Sequence, residues 1–210
     1  MGQRFPRTAT NIIAALTVAA WIIAAVLGAN DRAAYVLGFV PARFSGWALP
    51  FPTAPVWLTP LTATLVHSNL VHLGFNVLIL LWCGTQVERV IGAAGFVLLY
   101  VVGAYAAAAA QWALDPMATV PVIGASGAIS AVVGAFALSF GRAKAFTTNL
   151  RLNRWINVVW LLAAWVVLQV MTGWLGNQQG YLLATPAHVG GFAAGLLLQR
   201  PLLLWRYRKA

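Results

Sequence analysis

The chain has 210 residues, of which 61% are apolar and only 8% are charged. A soluble domain carries about 25% charged residues, so the composition indicates a polytopic membrane protein and leaves no room for a second domain of ordinary size. The single cysteine, Cys83, excludes an internal disulfide, and the sequence has no Cys/His pattern typical of a zinc site. We therefore expect neither a metal nor a cofactor.

The net charge of +10 could indicate a nucleic-acid partner. Most of the basic residues, however, lie at the ends of apolar runs, where Lys and Arg act as topology signals. This placement predicts a lipid bilayer around the protein and argues against nucleic acid.

Runs of about 20 apolar residues predict six membrane-spanning helices and therefore an all-α fold. The predicted spans are residues 11–29, 63–87, 91–113, 122–141, 155–174 and 182–200. They would form one membrane domain, residues 11–204, between short tails at 1–10 and 205–210. The first run exceeds the apolar core of a signal peptide, about 7–15 residues, so we expect it to be retained as a helix.

The segment between the first two spans, residues 30–62, is rich in Pro, Gly and aromatic residues and is too broken to span a bilayer. Aromatic side chains favour the membrane–water interface. The segment is therefore predicted to be an outer loop folded at that interface.

The basic residues also predict an orientation. With six spans, eleven of the thirteen Lys and Arg residues fall on one side of the membrane. Those eleven are Arg4, Arg7, Arg89, Arg142, Lys144, Arg151, Arg154, Arg200, Arg206, Arg208 and Lys209. Because cytoplasmic loops carry an excess of Lys and Arg, both termini are predicted to be cytoplasmic. The lack of further targeting features favours a prokaryotic cytoplasmic membrane.

Four polar residues fall at a similar depth in three of the predicted spans. At 1.5 Å per helical residue, His72 and Ser126 lie about 24 Å from the inner charged boundary, and Asn76 and His188 lie about 18 Å from it. Ionisable groups at membrane depth are costly and usually mark function. The convergence predicts a polar site below the outer surface of the membrane.

Small residues line one face of the fourth span and one face of the sixth. These stripes are Ser126, Ser130 and Gly134 on the fourth span, and Ala187, Gly191 and Gly195 on the sixth. Such stripes let helix backbones approach closely in lipid. We therefore expect Ser126 to lie within hydrogen-bond reach of His188.

A serine and a histidine on separate helices suggest a nucleophile and the base that activates it. A catalytic triad would add a carboxylate to orient the imidazole. The chain has only three acidic residues, and Asp31, Glu88 and Asp115 are all at predicted loops or span ends. The sequence therefore predicts a dyad of Ser126 and His188.

Attack by the serine on an amide creates an oxyanion that needs preorganised donors. The available donors are the Asn76 amide, His72 and the backbone N–H of Ser126. Gly124 and Gly127 flank the serine and would leave space for the substrate backbone. The predicted reaction is peptide-bond hydrolysis within the membrane through an acyl-enzyme.

Other interpretations of the same residues stay open at this point. A Gly-Ala-Ser-Gly run is common in helix packing, and a lone membrane histidine is more often structural or part of a transport path. His72 and Asn76, four residues apart, could form an interhelical hydrogen-bonding pair. A channel or transporter is the third interpretation, and it predicts internal repeats or paired broken helices. The sequence shows no repeat between its halves.

Four motifs together resemble the rhomboid intramembrane serine proteases, in their basic six-helix form. The motifs are HSNLVHLGFN (67–76), VERVIG (87–92), GASG (124–127) and AHVGGFAAG (187–195). They follow the family's order and spacing over nearly the whole chain. Gly191 and Gly195 match the family's glycines on the last helix, and Glu88 matches an acidic residue with a structural role.

The resemblance implies that Ser126 is the nucleophile and His188 the general base. It also implies that His72 and Asn76 line the oxyanion hole together with the Ser126 amide. Substrates in the family are single-span membrane proteins that are cut near their outer ends. The fifth helix and the outer loop near 175–183 would then act as gate and cap.

The sequence departs from the family pattern in two places. Many members carry a tyrosine that packs under the histidine four residues after the serine, and Ser130 occupies that position here. The outer loop has Arg43 followed by Phe44 and lacks a Trp-Arg pair found in some members. An inactive relative that binds membrane clients is the alternative function, and the retained Ser126 and His188 favour the protease.

Overall fold

The computed structural model describes residues 8–140, 147–175 and 184–208, and these residues are almost entirely helical. The α-helices of the described ranges are α1 (Ala9–Val26), α2 (Asn30–Leu37), α3 (Pro41–Phe44), α4 (Thr59–Thr62), α5 (Leu70–Ile79), α6 (Thr85–Leu114), α7 (Ser126–Phe140), α8 (Leu150–Leu175) and α9 (Thr185–Arg206). One isolated β-bridge joins Phe39 and Val122, and the described residues form no other strand pairing. The prediction of an all-α fold is confirmed.

Some of the predicted features fall outside the described residues. They are the basic residues Arg4, Arg7, Arg142, Lys144 and Lys209, and residues 176–183 of the predicted cap. Eight of the thirteen basic residues lie within the described ranges.

Three helical segments of the described chain are long and apolar enough to cross a membrane. They are Ala9–Val26, Leu70–Leu114 and Leu150–Met171. The middle one, 45 residues long, contains α5 and α6 and covers the predicted second and third spans. It breaks at Gly92, whose φ of 78° and ψ of 164° are accessible to glycine at little cost. The count of six membrane crossings stays a prediction.

The helix of the predicted second span begins later than the apolar run does. Residues 63–65 form a 3-10 turn, and α5 starts only at Leu70. Asn69 is its N-cap, because the Asn69 side chain accepts a hydrogen bond of 2.9 Å from the backbone N–H of His72. Hydropathy could not separate the turn from the helix because both are apolar.

The fourth predicted span also begins later, at Ser126 instead of residue 122. Val122 is held in an extended conformation, since its N–H donates to the Phe39 carbonyl at 2.7 Å and its carbonyl accepts from the Phe39 N–H at 3.0 Å. Pairing with Phe39 of the segment 30–62 therefore fixes the extended stretch that leads into α7.

The segment 30–62 is folded onto the bundle. It contains α2, α3 and α4, and Phe39, Val40 and Ala42 are at most 3% exposed. The Arg43 guanidinium donates to the Thr53 hydroxyl at 2.6 Å and to the carbonyl of the next residue at 2.8 Å, which ties two parts of the loop together.

Helix α7 is the centre of the bundle, with almost every residue from Ala128 to Ala137 buried. Its backbone packs closely against those of α6 and α9. A Cβ atom added to Gly191 would collide with the carbonyl oxygen of Gly127, and one added to Gly195 would collide with that of Ala131. These small residues let α7 and α9 touch along their backbones.

The outer helices carry apolar surface that nothing in the described chain covers. Only 17% of the most apolar stretch of α1, and 17% of that of α8, is buried. Large apolar side chains such as Leu16 and Trp160 are more than half exposed. Apolar patches of this extent mark contact with a partner or a membrane, which here is the lipid.

Candidate active site

Ser126 is the first residue of α7 and is 7% exposed. The chain enters the helix through Gly124, whose φ of +108° disfavours any side chain. The Gly124 N–H donates to the Ala63 carbonyl at 3.0 Å, and the Ala125 N–H donates to Nε2 of His67 at 3.4 Å. The turn before the serine is thus held by the segment that precedes α5.

His188 lies in the first turn of α9, where its N–H donates to the Ala184 carbonyl at 3.1 Å. Its Nε2 atom is 2.9 Å from the hydroxyl oxygen of Ser126, and the ring is 6% exposed. The two residues are 62 positions apart and meet because α7 and α9 approach closely at Gly191 and Gly195.

His72, in the first turn of α5, lies against Gly124. A Cβ atom at Gly124 would lie 2.6 Å from Nε2 of His72 and 3.8 Å from the hydroxyl oxygen of Ser126. The Nδ1 atom of His72 is 3.3 Å from the Ser68 hydroxyl. The imidazole is therefore packed against the turn that leads into Ser126, where a side chain at position 124 would collide with it.

Asn76 lies one turn further along α5 and is 2% exposed. Its Nδ2 atom donates at 2.8 Å to the carbonyl of His72 in its own helix. Its Oδ1 atom is buried and has no hydrogen-bond partner in the described part of the chain. One of the two amide N–H groups thus stays available, and the other is occupied.

Two residues of α8 also reach the site, and the sequence analysis missed both. Trp165 donates from Nε1 to the Ser130 hydroxyl at 2.7 Å, and its ring centroid is 6.5 Å from that of His188 in an edge-on arrangement. The Ser130 hydroxyl in turn donates to the Ser126 carbonyl at 2.7 Å. The Nε2 atoms of Gln169 and His188 are 3.4 Å apart.

A signal for these residues is present in the sequence. Gln169 is the only polar side chain other than tryptophan between Asn157 and Thr172. Polar groups inside a span usually face the bundle interior. Trp165 lies four residues earlier and therefore shares its helix face.

A family model described as Rhomboid domain matches residues 54–205. The chain belongs to the rhomboid family. The match begins after α3 and includes both helix ends that form the contact between Ser126 and His188.

Three known rhomboid proteins resemble parts of this rhomboid. Rhomboid protease GluP of Bacillus subtilis is 38% identical over 79 residues, which is 38% of this chain and 15% of that protein. Rhomboid-related protein 3 of Homo sapiens is 40% identical over 82 residues, 39% of this chain and 20% of that protein. Rhomboid-type serine protease 2 of Emericella nidulans is 26% identical over 168 residues, 76% of this chain and 30% of that protein.

The rhomboid chain thus spans at most about a third of the length of these relatives. Two of the three are named as proteases. Membership of the family therefore supports an intramembrane protease in general terms.

The carboxylates of this rhomboid lie away from the imidazole. Glu88 is bound to the start of α1, and Asp31 and Asp115 are exposed on α2 and at the end of α6. Among the described residues, no group of three or more His, Cys, Asp or Glu side chains is arranged to hold a metal ion. Within the described ranges, the imidazole of His188 is approached by the hydroxyl of Ser126, the amide of Gln169 and the indole of Trp165.

Proposed function

We propose that this rhomboid is a serine endopeptidase that cleaves transmembrane segments of other membrane proteins. The observation that carries the proposal is the 2.9 Å contact between the Ser126 hydroxyl and Nε2 of His188 in a buried site. A serine becomes a good nucleophile when an adjacent base can accept its proton.

In the proposed reaction, Nε2 of His188 takes the hydroxyl proton as the oxygen of Ser126 attacks the scissile carbonyl carbon. The tetrahedral intermediate collapses when the C–N bond breaks and His188 protonates the leaving amine. Water then attacks the acyl-enzyme with His188 again acting as base, which releases the acid product and restores the serine. The attack by the serine and the later attack by water each begin with an unprotonated Nε2, and the Gln169 amide beside it favours that tautomer as a donor.

The oxyanion would form next to the backbone N–H of Ser126, on the side of the site where His72 lies. The N–H of Ser126 is in the first turn of α7, where the backbone donors of a helix have no partner within the helix. In the proposed arrangement the Ser68 hydroxyl donates to Nδ1 of His72, so that Nε2 of His72, which lies against Gly124, carries a proton and is the second donor. The second amide N–H of Asn76 is the third donor that we assign.

We assign a positioning role to Trp165 and Ser130. Trp165 contacts the His188 ring edge-on and binds Ser130, which occupies the position of the tyrosine found in many members. The Trp165 indole, which comes from α8, would support the His188 ring in place of the tyrosine. The hydroxyl of Ser130 links this support to the carbonyl of Ser126.

We also propose that the site opens toward the outer side of the membrane and that both termini are cytoplasmic. A membrane-impermeant maleimide added to intact cells should label an Ala48→Cys variant and leave a Thr148→Cys variant unlabelled, both made in a Cys83→Ala background. Both positions are exposed, and the native thiol is buried. The reverse labelling pattern would refute the orientation.

The first test uses a fluorescent phosphonate that reacts with activated serines. Purified wild type should be labelled, and the Ser126→Ala and His188→Ala variants should not, while all three unfold at similar temperatures. Labelling of either variant would overturn the assigned dyad. A folded wild type that stays unlabelled would favour the alternative, a rhomboid that binds membrane clients without cleaving them.

A further inference from the structure

A cleft of about 710 Å³ opens between the C-terminal part of α7, the N-terminal part of α8 and the second half of α9. Three arginines line it, namely Arg151, Arg154 and Arg200, and all three side chains are exposed. Arg200 follows His188 by twelve helical residues, so the cleft lies about 18 Å from the site. The cleft is therefore a separate feature at the opposite end of the bundle.

The positive charge of the cleft is not balanced by any lining carboxylate. The chain contains only three acidic residues, Asp31, Glu88 and Asp115, and none of them lines the cleft. A guanidinium presents several N–H donors in a planar fork that matches the oxygens of a phosphate. Three such groups around one space favour a phosphate-containing anion.

The start of α8 adds to this positive potential. Helix α8 begins at Leu150, and the Asn149 side chain accepts hydrogen bonds from the N–H groups of Arg151 at 3.0 Å and Leu152 at 3.2 Å. The N-terminal end of a helix carries a partial positive charge. Two of the three guanidiniums therefore project from a helix end that itself favours an anion.

Apart from Gln199, the remainder of the cleft wall is apolar, and a free inorganic anion would not use that surface. Leu138 of α7 and Leu196 and Leu197 of α9 line it, together with Trp155 of α8. Leu197 is 76% exposed and Trp155 is 57% exposed. A ligand that satisfies both parts of the wall has a phosphate at one end and a hydrocarbon chain at the other.

We propose that this cleft binds an anionic phospholipid, with its phosphate between the three arginines and an acyl chain along the leucine wall. Basic pockets between membrane helices on the cytoplasmic side bind anionic head groups, and the predicted orientation puts this cleft on that side. A zwitterionic choline lipid carries the same phosphate, but its trimethylammonium group would face the guanidiniums. The proposal does not depend on the proposed peptidase activity.

Native mass spectrometry of the full chain in mixed micelles tests the proposal. Wild type should retain one palmitoyl-oleoyl phosphatidylglycerol per chain, about 10-fold more tightly than the matching phosphatidylcholine. The Arg151→Gln/Arg154→Gln/Arg200→Gln variant should lose this preference. The matched control is Arg32→Gln/Arg89→Gln/Arg208→Gln, which removes the same charge from exposed positions outside the cleft and should bind like wild type.

Three results would overturn the proposal. Equal retention of phosphatidylcholine would show that the head-group charge is not recognised. Equal loss in the cleft variant and its control would show that binding depends only on net charge. Displacement of the lipid by millimolar inorganic phosphate would identify a soluble anion as the ligand. Melting curves of all variants exclude a simple loss of the fold.

Discussion

At the scale of single residues, the imidazole of His188 is contacted by neutral groups from two neighbouring helices. Ser126 approaches Nε2 from α7, and Gln169 and Trp165 approach the ring from α8. In a triad, a buried carboxylate holds the imidazole in the correct tautomer and orientation. In the proposed dyad an amide and an indole would orient the ring, while neither adds a negative charge that would stabilise an imidazolium.

The contribution of Trp165 can be separated from simple packing. Trp165→Phe keeps an aromatic ring but removes the 2.7 Å hydrogen bond to Ser130. A neutral hydrogen bond is worth about 0.5–1.5 kcal/mol, so phosphonate labelling of Ser126 should slow about 2- to 12-fold with little change in melting temperature. Trp160→Phe is the control, because Trp160 lies on the same helix and is 68% exposed. A lower melting temperature with an unchanged labelling rate would assign Trp165 to packing alone.

Asn76 has only one amide N–H left for an oxyanion, because the other binds the His72 carbonyl. Asn76→Ala should lower kcat about 10²-fold, the lower end of the effect of removing one oxyanion donor. KM should change little, because the missing donor acts mainly in the transition state. Steady-state cleavage of a transmembrane substrate gives both constants. A kcat equal to that of wild type would remove Asn76 from the oxyanion hole.

At the scale of helices, the distance between the proposed nucleophile and its proposed base is set by how closely α7 and α9 pack. Gly191 and Gly195 place the α9 backbone against carbonyl oxygens of α7. Helices packed on larger side chains lie about 8–10 Å apart, and small residues bring membrane helices closer. The two glycines would therefore act on the proposed catalysis through geometry alone.

Gly195→Ala should push the two helices apart. The added Cβ would meet the Ala131 carbonyl oxygen, which cannot rotate away as a side chain can. Overpacking of this kind costs about 1–3 kcal/mol, and the labelling of Ser126 should fall at least 10-fold. Gly74→Ala is the matched control, because no atom lies within 4 Å of its added Cβ on α5.

The outcome is read from melting temperature and labelling rate together. The Gly74→Ala variant should melt at or above the temperature of wild type, since alanine favours a helix over glycine. Normal labelling of the Gly195→Ala variant would show that the contact between Ser126 and His188 tolerates a wider helix spacing.

The sequence patterns predicted the contact between α7 and α9 but not the residues that support it. The small-residue stripes and the depths of Ser126 and His188 indicated that the two residues lie close together, and their atoms are 2.9 Å apart. The late start of α7 depends on pairing between Val122 and Phe39, a long-range contact that local hydropathy does not contain. The place of Trp165 depends on the rotation of α8, which an apolar helix with few polar residues leaves undetermined.

At the scale of the whole molecule, the described chain has two polar ends with an apolar middle. The contact between Ser126 and His188 lies at one end, and Glu88 organises the other. The Glu88 carboxylate accepts from the N–H groups of Ala9 and Thr10 at 2.8 and 2.9 Å and from the Thr10 hydroxyl at 2.6 Å. The negative charge of Glu88 also interacts favourably with the partial positive charge at the start of α1.

The last turn of α9 packs at the same end of the bundle as Glu88. The Arg206 guanidinium donates to the carbonyls of Glu88 and Arg89, just before the break at Gly92. A Cβ at Gly92 would lie 3.6 Å from the Arg206 side chain, so there is little room beside the bend. Helices α1, α6 and α9 are therefore joined at a point remote from the proposed chemistry.

Glu88→Gln should destabilise the fold without altering the site. The substituted amide can accept with only one atom and turns an NH₂ group toward the donors of α1, so at least one charged hydrogen bond is lost. Hydrogen bonds to charged groups contribute about 1.5–3 kcal/mol each, and the melting temperature should fall accordingly. The labelling rate of Ser126 below the melting transition should equal that of wild type.

The control removes the same charge from an exposed position. Asp115→Asn at the end of α6 should leave both the melting temperature and the labelling rate unchanged, because that carboxylate is exposed to solvent. If Glu88→Gln slowed labelling while the protein melted normally, the two ends of the bundle would be coupled through α9. If neither quantity changed, the three hydrogen bonds to the start of α1 would contribute no net stability, and α1 would be held by its packing against α5 and α6.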